Sequence, residues 1–183
     1  MPVRRRIAIH TLAVLAGVFS FAAAAAQNRV TDPLRLVDHG VICDVTITGR
    51  QDAPLTESGT MNLVDQGRQI DVTTRFVPMR PGLSFGLRTR LADGSAPIEA
   101  DIVVTHPPMS TGTTTQSWPA RMTDGATALN LFTFEHDHEM VPGLWTFFVL
   151  DRGTVLAEQG FVVGPDSSAP DVLATCFGDA LTS

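Results

Sequence analysis

Two short motifs in this 183-residue chain carry side chains that could do chemistry. Gly82-Leu83-Ser84-Phe85-Gly86 matches G-x-S-x-G, the pattern that lifts a serine nucleophile on a sharp strand-to-helix turn toward a histidine and an oxyanion hole. Glu135-His136-Asp137-His138-Glu139 is the densest cluster of metal-ligand types. If the strand before it continues, His136 and His138 share one side, and imidazoles two residues apart on a strand can both reach one zinc or copper ion. Such a site needs further ligands, which His106, Met109, Met140 or His39 could supply only if the fold brings them close. A third candidate is recognition rather than chemistry. The stretch from Pro107 to Asp124 reads as a long Pro-, Ser-, Thr- and Gly-rich loop with Trp118 in its middle, and loops of that length in compact domains are often functional. Trp118 with Arg121 could form a binding patch for a sugar or peptide; the alternative is that Trp118 folds back to cap the core.

The elements that must position these residues argue against catalysis. Leu83, Phe85, Leu87, Thr89 and Leu91 alternate with Ser84, Gly86, Arg88 and Arg90, which is a regular strand with Ser84 on the solvent face and no helix following it. The G-x-S-x-G match is therefore expected to be fortuitous. His106, just before Pro107-Pro108, reads as a strand-end residue and not as a base. The His-x-His cluster lies directly before the turn Val141-Pro142-Gly143, and two ligands alone define no site, so a solvated acidic loop is expected there and no cofactor is assigned. No catalytic residue is assigned either, and the chain is expected not to be an enzyme.

Period-two alternation dominates, and no long stretch sustains a helical period after the N-terminus. Leu83–Leu91 and Ile98–Val104 read as a hairpin turning through Ala92–Pro97, with Arg90 opposite Glu99 and Arg88 opposite Asp101. A second hairpin fits Met61 to Phe76 around Asp65–Arg68, and a third joins Leu144–Leu150 to Val155–Val163 through Asp151–Thr154. Leu144–Leu150 is apolar on both faces, as a central strand should be. Leu36–Ile47, with Cys43 facing inward and Gly40 as a candidate bulge, and Ala128–Phe134 complete about eight strands, the pattern of an antiparallel β-sandwich, with a barrel as the alternative.

The N-terminus has the three parts of a secretory signal: Arg4, Arg5 and Arg6, an apolar stretch from Ile7 to Ala23, and small residues at Ala24 and Ala26 before Gln27. Cleavage there leaves 157 residues, one domain's worth of chain, with ten arginines against 19 acidic residues and a net charge of −9. There is no lysine and no tyrosine. An acidic, lysine-free surface repels phosphate backbones, which disfavours nucleic acid as a partner. No later apolar run reaches spanning length, so no transmembrane segment is expected after cleavage. In an oxidising compartment Cys43 and Cys176 are expected to form one disulfide, with two separate thiols as the alternative. The expected organisation is a signal over residues 1–26, a β-sandwich over 27–164, and a C-terminal tail over 165–183 beginning with the linker-like Pro165–Pro170.

The segments Val37-Asp38-His39-Gly40-Val41-Ile42-Cys43, Val104-Thr105-His106-Pro107-Pro108-Met109, Asn130-Leu131-Phe132-Thr133-Phe134-Glu135 and Val141-Pro142-Gly143-Leu144-Trp145-Thr146-Phe147 resemble an uncharacterised bacterial family of exported proteins, a domain of unknown function. The resemblance runs from about Leu36 to Val163 and implies an exported β domain, with no activity to carry over. The Pro-Gly-x-Trp-x-Phe segment is also similar to the penultimate strand of immunoglobulin-like domains. The combined expectation is an all-β, immunoglobulin-like sandwich, periplasmic or secreted, that binds an unknown protein, peptide or envelope polymer; a zinc- or copper-binding sandwich is the alternative.

Overall fold

The computed structural model describes residues 28–178; the signal read in residues 1–26 and its cleavage point lie outside them. The described residues form two packed antiparallel sheets and a projecting two-stranded arm. The larger sheet runs β1 (Asn28–Val30), β11 (Thr154–Gly164), β10 (Gly143–Asp151), β7 (Ile98–Thr105) and β8 (Thr115–Met122), with the short β5 (Phe76–Pro78) parallel to β11. The smaller sheet runs β2 (Leu34–Ile42), β6 (Ser84–Leu91) and β9 (Thr127–Thr133). The arm is β3 (Ile47–Asp52) paired with β4 (Thr60–Val64). With β10 and β11 as a hairpin and every other connection in the sandwich except that of β7 to β8 changing sheets, this is an immunoglobulin-like topology.

The third hairpin and its central strand are present as the sequence indicates. Asp151 stands opposite Thr154, and the two turn residues between them, Arg152 and Gly153, both have positive φ (47° and 77°), the requirement of a tight turn matched to strand twist. β10 lies between β11 and β7, so both its edges are hydrogen-bonded, while its outward face, with Leu144 exposed, is only partly covered. Its Trp145 and Phe147, with Phe132 and Phe134 of the β9 segment and Phe161 of β11, surround Phe85 of β6 at ring-centroid distances of 5.3–5.9 Å.

The other two hairpins are corrected. β6 and β7 do not pair: β6 hydrogen-bonds β2 and β9, while β7 belongs to the opposite sheet. Ala92–Pro97 carries the chain across the sandwich. Alternation reports which face of a strand is buried, and two strands facing each other across one core show the same pattern as two strands side by side. The charges redistribute accordingly. Arg88 pairs with Asp38 of β2 at 3.0 Å, Arg90 with Asp93 at 3.2 Å, and Glu99 with Arg121 of β8.

The turn at Asp65–Arg68 does form, with Arg68 N–H donating to Asp65 C=O at 3.1 Å. The chain beyond it leaves β4, however. Val72 bridges Val41, and β4 pairs back on β3. The irregularity in β2 falls at Val37, where the register skips, and not at Gly40. Gly40 serves a close approach instead: its φ is +152°, and a Cβ there would stand 2.1 Å from the Val72 carbonyl oxygen.

Two further readings change. The second half of the expected loop from Pro107 to Asp124, Thr115–Met122, is the strand β8. The linker-like Pro165–Pro170 and the described part of the tail instead fold onto the sandwich as a short 3-10 turn, Asp166–Ser168, and the helix α1 (Pro170–Phe177). Ala169 and Val172 are buried in the core, and Cys176 forms a disulfide with Cys43. Cys43 is half-buried just past β2, and its N–H donates to Asp71 at 2.9 Å.

Candidate functional site

The residues singled out in the sequence are dispersed. Ser84 is fully buried, not solvent-facing, and its hydroxyl shares a 2.7 Å hydrogen bond with Thr133 of the neighbouring strand β9. Trp118 and Arg121 lie three apart on β8 and therefore on opposite faces: Trp118 is buried in the core, while Arg121 is exposed and ion-paired to Glu99. No single patch joins them. His136 and His138 do not continue the strand, because β9 ends at Thr133 and the chain turns into a 3-10 segment, Asp137–Glu139. Their rings stack with centroids 5.3 Å apart and planes within 9° of parallel. Imidazole lone pairs lie in the ring plane, so stacked rings do not converge on one ion.

The additional ligand candidates stand elsewhere. His106 is buried against Trp145 with ring centroids 4.6 Å apart, Met109 lies in the core, Met140 packs against the core, and His39 sits edge-on to Phe161. Among the described residues, no group of three or more His, Cys, Asp and Glu is placed to hold a metal.

Burial, reinforced by the Arg75 charge and opposed by Asp38, holds the His39 imidazole below its ordinary range. The folded state thus favours the neutral ring, while the unfolded chain takes up a proton near pH 6.5. This contribution to stability is complete above about pH 6.5 and is lost as pH falls through the lowered folded value. Urea denaturation across this range should show wild-type stability falling toward acid, with the fall shallower in His39→Gln.

What the fold does assemble is a groove on the open flank of the sandwich, roofed by the arm. It encloses about 430 Å³, within the usual range of ligand sites. One wall is β9, the other is β4, and the floor includes Gln116 and Trp118 from the inner face of β8. The arm is tied at both ends. At its tip, Ser117 N–H donates to Leu55 C=O at 3.1 Å and Glu57 N–H donates to Gln116 Oε1 at 3.0 Å. At its base, Leu129 N–H of β9 donates to Gln66 Oε1 at 2.8 Å, and between these ties Asn62 reaches Glu135.

Several buried polar groups around the groove are left without partners. Asn130 Nδ2 and Gln116 Nε2 line it with no hydrogen-bond acceptor among the described residues, although the two residues are only 5% and 4% exposed. Both Glu57 carboxylate oxygens are buried, and Oε1 lies 3.2 Å from His138 Nε2 without hydrogen-bond geometry. Glu139, also in the lining, uses Oε2 to accept from the Glu135 and His136 N–H groups at 2.6 and 2.8 Å; burial nonetheless pushes its carboxyl above the ordinary range. A buried unpaired donor costs about 1–3 kcal/mol. Sequence reasoning missed Asn130 and Gln116, although Asn130 left a signal: it interrupts the inward series Ala128, Phe132, Phe134 with a polar side chain.

The segments that form β2 to β11, from Asp32 to Val163, are also those matched by a family model described as "Domain of unknown function (DUF3859)", residues 32–163. The chain belongs to the DUF3859 family. Among solved structures, this DUF3859 chain is similar to one described as an immunoglobulin-like protein from Pseudomonas aeruginosa, at 22% identity and a TM-score of 0.47 over 78% of this chain and 100% of that one. No match is found among curated proteins. Among the described residues of the DUF3859 protein, no helix is long and apolar enough to cross a membrane.

Proposed function

We propose that this DUF3859 protein is an exported, non-catalytic binding module of the bacterial cell envelope and that it binds its ligand in the groove beneath the arm. The observation that carries the reading is the pair of unpaired amide donors, Asn130 Nδ2 and Gln116 Nε2, held among Trp118, Phe132 and Leu63. Ligand sites combine apolar surface with a few convergent polar groups; this groove is of mixed lining, and a ligand acceptor there would satisfy groups that the fold leaves unmatched. Export is supported by the signal-like N-terminus and by the Cys43–Cys176 disulfide, because such bridges persist in oxidising compartments.

The variant Asn130→Leu tests the reading. It replaces the unpaired donor with an apolar group of the same branched shape, the added bulk facing the groove, so thermal stability should hold or rise while binding is lost. Immobilised wild type and the exposed-site control Arg152→Ala should retain material from a solubilised envelope fraction that Asn130→Leu does not. Equal retention by all three proteins would rule out the groove as the binding site. A second reading, zinc or copper on His136 and His138, requires the two stacked rings to turn apart and has one observation in its favour, the Glu57 carboxylate 3.2 Å from His138. It requires stoichiometric metal in the purified protein that disappears in His136→Ala/His138→Ala.

A further inference from the structure

Resting on the groove as the binding site, we propose that its ligand is an extended polypeptide segment that enters as an added strand between β9 and β4. Four features point to strand addition. First, the smaller sheet stops at β9, so the inner face of β8, with Gln116 and Trp118, is roofed by the arm and not by a fourth strand. Second, the outer edge of β9 has no strand partner among the described residues. Phe134 exchanges backbone hydrogen bonds on the β6 side, accepting from Gly82 and donating to Leu83, while Leu129 N–H points the other way, to Gln66. Direction alternates along a strand, so the peptide groups of Leu131 and Thr133 face the groove. Gln66 Oε1, an amide carbonyl on a side chain, occupies the position that the carbonyl of an added strand would take at Leu129.

Third, β4 and β9 face each other across the groove without pairing directly. β4 pairs with β3 and β9 with β6, and the Asn62–Glu135 and Gln66–Leu129 links span the space between them. Fourth, the lining matches a peptide. Main-chain or side-chain amide carbonyls would accept from Asn130 Nδ2 and Gln116 Nε2, and an apolar side chain on the inward face would rest on Trp118 and Phe132. The lining carries Glu135 and Glu139 against Arg50, which favours a neutral or basic segment over an acidic one.

The test uses a phage-displayed random linear peptide library selected on the wild-type protein, with the enriched peptides then synthesised. The key variant is Leu131→Pro. Its N–H faces away from β6, so proline removes only the edge donor. Strand addition predicts roughly tenfold or greater weakening by Leu131→Pro, and slowed amide exchange at Leu131 and Thr133 of the wild type when peptide is bound. Should the variant fail to fold, exchange at those two amides decides.

If Asn130→Leu abolishes peptide binding while Leu131→Pro and the two amides are unaffected, strand addition is overturned and the groove stands. If the peptides bind Asn130→Leu and Leu131→Pro as they bind wild type, both the inference and the groove reading fall. If no peptide is enriched, and the envelope material retained by wild type is a glycan resistant to protease, the occupant is not a polypeptide and the inference fails alone.

Discussion

Replacing Cys43 and Cys176 with serine is expected to lower the unfolding free energy by about 5 kcal/mol, the largest single effect available in this chain. The bridge joins residues 133 apart in sequence. A cross-link of that span removes much of the loop entropy of the unfolded ensemble, and the reduced chain recovers it. The bridge also fastens α1 to the end of β2; without it, α1 is held by Val172 and Ala169 in the core, the Arg80–Asp166 ion pair just before it, and Arg80 over the Phe177 ring. Denaturant titrations of oxidised protein, reduced protein and the double serine variant should agree in placing the loss near 5 kcal/mol, with a melting temperature lower by about 10–20 °C. A loss under about 1 kcal/mol would mean that the unfolded chain is already held compact by other means.

Phe85→Ala is expected to cost about 3–5 kcal/mol, the usual price of emptying a large aromatic site in a core. Phe85 is fully buried and lies 5.3–5.9 Å, centroid to centroid, from Phe132, Phe134, Trp145, Phe147 and Phe161. Those rings come from both sheets, so the cavity would open in the layer that joins them and could not be closed by moving one strand. Phe85→Leu should cost much less, since it keeps most of the volume. The check is the unfolding free energy by urea titration, with the slope unchanged if the loss is in the native state. Equal destabilisation by Ala and Leu would show that ring geometry, and not filled volume, carries the effect.

The groove depends on the same packing, because Phe132 contributes both to this aromatic cluster and to the groove lining. Asn130 precedes it on the inward face of β9 and is the one polar member of an otherwise apolar series. The expected gain or neutrality in stability for Asn130→Leu, set beside a loss of binding, is what a site maintained against the interests of the core should show.

The disulfide, the β10–β11 hairpin and the inward faces of β6 and β7 were legible in the sequence because each rests on local or compositional information. Leu83 to Leu91 and Ile98 to Val104 alternate visibly, and the Arg152-Gly153 turn admits the positive φ that a tight hairpin needs. Leu144–Leu150 is apolar at nearly every position, and β10 does take a central place, between β11 and β7. The helix α1 was missed because its apolar series, Ala169, Val172, Leu173 and Cys176, spans only two turns behind two prolines.

Partner choice was not legible. Period two gives the same sequence for a strand beside its neighbour and a strand across the core from it, so only the tertiary structure could assign β6 to β2 and β9 and send β7 to the other sheet. The groove belongs wholly to that second class. It exists because β3 and β4 turn on each other and stand off from β9, bringing residues near 57, 66, 116 and 130 around one space. Local propensity decides which residues face inward; the long-range pairing of strands decides what they face.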